Sequence, residues 1–161
     1  MNKFGILLCF LLAFNYSTAA LPQIDIDQMY DWFVIVIKGM ASSTEYKCAN
    51  TLIQNKETIV KEIKAAIEEI KNGASVKTAL MTHGLKLMGV PGLITNCKVM
   101  EIVGNIDKYF KAAYIQQIGY NLVQHSTEIE SLIQEIIKSD VEGKLLAVGK
   151  MIRIVTGFEV L

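Results

Sequence analysis

Few residues in this sequence are of a type that performs covalent chemistry, and their spacing restricts what they can do. The histidines are His83, within Met81-Thr82-His83-Gly84, and His125, within Gln124-His125-Ser126-Thr127. Neither falls in a His-Glu-x-x-His metal motif. The chain has no Gly-x-Ser-x-Gly nucleophile elbow, P-loop or Gly-x-Gly-x-x-Gly turn. Each histidine is expected at the surface or at a helix cap. Glu62, Glu68 and Glu69 fall on the charged face of a helical pattern and are expected to be solvated. An enzyme built on this chain would need His83 or His125 beside a carboxylate in a pocket. No enzymatic activity, cofactor or metal site is expected.

The cysteines are Cys9, Cys48 and Cys97. Cys9 lies in a segment, Met1 to Ala20, with the layout of a secretory signal. Lys3 gives a positive start, Phe4 to Phe14 is uncharged and apolar, and Ser17, Thr18, Ala19 and Ala20 supply the small residues that signal peptidase accepts. The apolar run falls short of the roughly 20 residues needed to cross a bilayer. The expected products are a cleaved leader, residues 1–20, and a single secreted domain, residues 21–161, released outside the cell or into a granule. Cys48 and Cys97 remain, and an even count in an oxidising compartment predicts a disulfide between them. Without a nearby histidine pair they do not form a zinc site.

Loss of Lys3 leaves 15 basic and 16 acidic residues, a nearly neutral chain. That balance predicts neither nucleic-acid binding nor tight attachment to an anionic surface. Lys56, Lys61, Lys64 and Lys71 form a partial stripe, but Glu57, Glu62, Glu68 and Glu69 neutralise it. Hydrophobic residues make up 52% of the full sequence, enough to build a core rather than leave the chain disordered. No segment after Ala20 is long and apolar enough for a membrane span.

The elements that must position these residues read as helices. Between Lys56 and Lys71, Ile59, Val60, Ile63, Ala66, Ile67 and Ile70 follow the i, i+3, i+4 rule, and Asn72-Gly73 stops the pattern. A preceding helix, joined to this one or broken from it near Asn55, fits equally. Ser75 opens a helix to about Met88, ended by Val90-Pro91-Gly92. Cys97 to Val103 reads as helix, and a longer pattern runs from Ile106 to Gln124. Ser42–Glu45, Thr127–Glu130 and Ser139–Glu142 each read as a capping box. Trp32–Ile37 and Arg153–Phe158 are rich in strand-favouring residues. The first is assigned to a helix capped by Asp25 or Asp27, with a short strand pairing of the two ends as the alternative.

The predicted fold is all-α, a compact bundle of about five or six helices with one disulfide. A weak similarity at an offset of 66 residues matches Ile63, Ile67, Glu69, Ile70 and Leu80 to Ile129, Ile133, Glu135, Ile136 and Leu146, and Asn55 to Asn121. It suggests two repeated helical hairpins clasped by Cys48–Cys97. The notable surplus is apolar, with glycines at Gly84, Gly89, Gly143 and Gly149 inside helical patterns and several methionines. This surplus points to a non-enzymatic protein that binds an apolar ligand or a lipid surface, with Met81, Leu85, Met88 and Met151 as the candidate apolar lining. The alternative is a structural or interaction protein that self-associates or docks on an extracellular partner.

Overall fold

A computed structural model describes residues 25–98, 100 and 112–161. The expected leader, Met1 to Ala20, lies wholly outside the described residues. So does most of the helix expected after Cys97. Helix accounts for 78% of the described residues, which contain no strand. The helices are α1 (Ile26–Gly39), α2 (Lys47–Gln54), α3 (Lys56–Lys71), α4 (Val76–Met88), α5 (Leu93–Asn96), α6 (Ala112–Gln124), α7 (Ser126–Lys138) and α8 (Val141–Thr156).

Eight helices among the described residues exceed the expected five or six because single residues divide long helical patterns. Asn55 separates α2 from α3 with φ −110° and ψ 17°, and His125 separates α6 from α7 with φ −107° and ψ 22°. Each dividing residue is bonded on both sides: Asn55 N donates to Thr51 O and its carbonyl accepts from Ile59 N, and His125 does the same between Asn121 and Ile129. Thr127 therefore lies inside a helix and does not cap one.

The predicted boundaries hold where the cap acts locally. Asp25 accepts from Asp27 N at the start of α1, and Ser75 accepts from Thr78 N at the start of α4. Trp32–Ile37 is helical despite its strand-favouring residues, because Tyr30, Val34 and Ile37 form a buried stripe at helical spacing. The other two boxes are shifted. The cap of α8 is Asp140, which accepts from Gly143 N, so Ser139 precedes the cap. Ahead of α2, Ser42 instead donates its hydroxyl to Val160 O, and α2 begins after Tyr46 in a left-handed conformation. Cys97 closes α5 and Lys98 has φ 49°, so these two residues are not helical, whereas Met100 is.

The main core draws on α1 to α5: Tyr30, Val34, Ile37, Leu52, Ile59, Val60, Ile63, Leu87 and Leu93 surround Cys48 and Cys97. The two sulfurs are at disulfide distance, with Cα atoms 4.6 Å apart. Burial pushes the Tyr30 hydroxyl above its ordinary pKa, and it donates to Leu52 O at 2.9 Å. Lys56 and Lys64 of α3 reach across to Asp31 and Asp27 of α1.

The hairpins α3–α4 and α7–α8 do not pack on each other; α1 lies between them, against both α3 and α8. Nor does the cysteine pair clasp two halves, since it ties α2 to the end of α5. Two other features join the ends of the chain. One is the crossing of α1 and α8 at Gly39 and Gly149, where a Cβ on Gly149 would meet Gly39 Cα at 2.8 Å and Val36 C at 3.0 Å. The other is the tail. Val160 is buried, bridges Ala41 in parallel fashion, and donates to Met40 O, while Leu161 N donates to Asn96 O. The alternative, a strand pairing of Trp32–Ile37 with Arg153–Phe158, is not found; the bridge between Ala41 and Val160 lies beyond both segments.

Candidate functional site

Helix α4 buries a histidine and leaves large apolar side chains outside. Its inward row, spaced by four, is Ala79, His83 and Leu87, all buried. Its outward row is Met81, Leu85 and Met88, with Leu85 66% and Met81 47% exposed. Burying an exposed Leu or Met side chain is worth roughly 1.5–3 kcal/mol, so hydropathy alone would turn the helix the other way.

Helix α3 supplies the reason for the inversion. Glu62, Ala66 and Glu69 recur at helical spacing along one of its faces, and Ala66 is buried. His83 is 5% exposed, with Nδ1 2.6 Å from Glu62 Oε2. Its Nε2 is enclosed, 3.2 Å from Glu69 Oε1 but off the hydrogen-bond direction. Lys86, one turn after His83, places Nζ 3.2 Å from the same Glu62 oxygen. The His83 and Lys86 bonds hold the Glu62 carboxyl below the usual carboxylate pKa range, against the opposing effect of desolvation.

His83 is therefore not the surface or capping residue that its sequence context suggests, because two carboxylates on the neighbouring helix make an interior position tolerable. Glu62 is likewise not solvated, its side chain being only 16% exposed. Glu68 is exposed as expected. His125 lies at the surface where α6 meets α7, 3.4 Å from Glu128. Among the described residues, no group of three or more His, Cys, Asp or Glu has an arrangement suited to a metal ion. Chemically, the His83 cluster is a clamp that fixes the roll of α4 and so presents Met81, Leu85 and Met88 outward.

Three of the four candidate lining residues therefore share one face. The fourth, Met151, is half-buried on α8, which does not pack against α4. A second apolar surface escaped the sequence reading. Helix α6 carries no charged residue from Ala112 to Gln124 and exposes Ile115, Tyr120, Leu122 and Val123. The signal was the absence of charge over three turns, which periodicity does not register. No described helix is long and apolar enough to cross a membrane.

Together these features define an all-helical chain with a buried cysteine pair and apolar side chains displayed on helix faces. Comparison with protein families, characterised proteins and solved structures finds no match.

Proposed function

We propose that this is a secreted, non-enzymatic helical protein whose α4 face binds an apolar ligand or lipid surface. One observation carries the reading: α4 buries its histidine and displays Met81, Leu85 and Met88. Keeping that row outward forgoes burial energy in the isolated protein, which a binding partner recovers. The His83–Glu62 clamp serves this role by orientation and not by catalysis. Methionine suits such a face because its flexible side chain adapts to an irregular apolar partner. Native mass spectrometry after challenge with fatty acid or phospholipid, together with flotation on lipid vesicles, tests the proposal. An unliganded mass and no flotation would sink it.

A second reading rests on α6, whose uncharged, exposed surface suits self-association or a protein partner. Sedimentation across micromolar concentrations distinguishes the two, since a strict monomer counts against self-association.

A further inference from the structure

From Ile70 to Met100 the chain runs 31 residues with Lys71, Lys77, Lys86 and Lys98 and not one aspartate or glutamate. The formal net charge of zero conceals this asymmetry. The run contains α4 and therefore the whole of the Met81–Leu85–Met88 row. Of the carboxylates outside the run, Glu62 bonds His83 and Lys86, Glu69 faces the His83 ring, and Glu159 of the tail lies 3.9 Å from Lys98, so Lys98 adds little free charge. Lys71 is exposed at the end of α3, and the Lys86 side chain is 55% exposed.

Resting on the reading that α4 binds an apolar surface, we propose that its occupant is a bilayer bearing anionic headgroups. The Met81–Leu85–Met88 row enters the boundary of the acyl chains, and the lysines remain at the level of the phosphates. Attraction of this kind fades within a Debye length, about 8 Å at physiological salt, so the charge local to α4 outweighs the near-zero total. A second copy is the weaker occupant. Pairing two α4 helices symmetrically would bring one helix with lysines and no aspartate or glutamate against another.

Flotation of the purified protein with phosphatidylcholine vesicles, and with vesicles that also contain phosphatidylserine, tests the proposal. Binding should favour the phosphatidylserine vesicles and weaken as salt is raised. Lys71→Gln and Lys77→Gln should each weaken it roughly fivefold. Leu85→Gln should weaken it on the order of tenfold. Unchanged thermal midpoints in these variants show that folding is not the cause. Equal binding to both vesicle types, or indifference to the lysine substitutions, overturns the anionic preference while leaving a lipid-binding α4 in place. Binding lost in Val123→Asp but kept in Leu85→Gln moves the contact to α6 and overturns the proposal. A change of oligomeric state in Leu85→Gln without any effect on flotation assigns the face to a second copy, and also overturns it. Failure to float with either vesicle removes the underlying reading as well.

Discussion

Replacing Gly149 with alanine should destabilise the protein, although alanine is the better helix former. The position lies inside α8, where Gly→Ala normally gains about 1 kcal/mol. Here the new Cβ would run into the main chain of α1 on several sides: the Val36 carbonyl oxygen, Gly39 Cα at 2.8 Å and Val36 C at 3.0 Å. Ordinary carbon contacts lie near 3.5–4.0 Å, so the two helices must part by roughly 1 Å. Overpacking costs about 1–3 kcal/mol, and an obstruction made of backbone falls at the upper end. After the propensity gain, the net loss is about 2 kcal/mol. At about 3–4 °C per kcal/mol for a chain of this size, the midpoint should fall by roughly 6–8 °C.

Gly84→Ala and Gly119→Ala are the controls. Both lie within helices and no heavy atom lies within 4 Å of the added Cβ, so each should raise stability by roughly 0.5–1 kcal/mol. Thermal unfolding followed by far-ultraviolet circular dichroism reads all three. Gly39→Ala would open the same gap, so the double variant Gly39→Ala/Gly149→Ala should lose less than the sum of the singles. A Gly149→Ala protein melting at or above the parent would refute the close crossing of α1 and α8. Strict additivity of the two glycine variants would argue that they do not share one contact.

Stability should fall at acidic pH as Glu62 takes up a proton. Its folded pKa is lowered by His83 and Lys86, so its contribution is complete above the ordinary carboxylate range and lost as pH drops through the lowered value. Denaturant titrations across that range should show a shallower acid limb in Glu62→Gln; an unchanged limb would count against the His83–Glu62 bond. Reduction, or Cys48→Ser, should cost up to about 4 kcal/mol, as expected for closing a loop of roughly 50 residues; chemical unfolding with and without reductant measures it. Val160→Ala should cost about 2 kcal/mol, because its side chain is buried in the core beside Ala41; a surface-like loss of a few tenths would show that the tail is not docked.

The all-helical class and the cysteine pair could be read from the sequence because both rest on local or countable signals. Helix α3 follows from Ile59, Val60, Ile63 and Ala66, its end from Asn72-Gly73, and the start of α4 from Ser75 alone. The misread boundaries depend on residues distant in sequence. Ser42 looks like a cap until Val160, 118 residues later, takes its hydroxyl. Nothing near Asn55 or His125 breaks a helix in the way proline would, yet at each the backbone leaves helical geometry, at φ −110° and φ −107°, and a new helix starts at the next residue. Gly149 was legible as a glycine out of place, but that it meets Gly39 depends on a contact between opposite ends of the chain.

The roll of α4 presents the same difficulty at the candidate site. Both rows of this helix contain apolar residues, and hydropathy favours Met81, Leu85 and Met88 as the buried set. The choice is reversed by a match between helices. Glu62 and Glu69 stand two turns apart on α3, and one imidazole can lie between them, with Nδ1 bonded to Glu62 and Nε2 near Glu69 but not hydrogen-bonded to it. Once His83 is held there, Ala79 and Leu87 must follow it inward and Met81, Leu85 and Met88 must face out. A buried polar group needs a partner more urgently than a methionine needs shelter, since an unpaired group costs about 1–3 kcal/mol and more when charged. The exposed face is therefore specified by the buried cluster. Disrupting that cluster with His83→Leu would remove the force that sets the roll, and with it the reason for the apolar row to point outward.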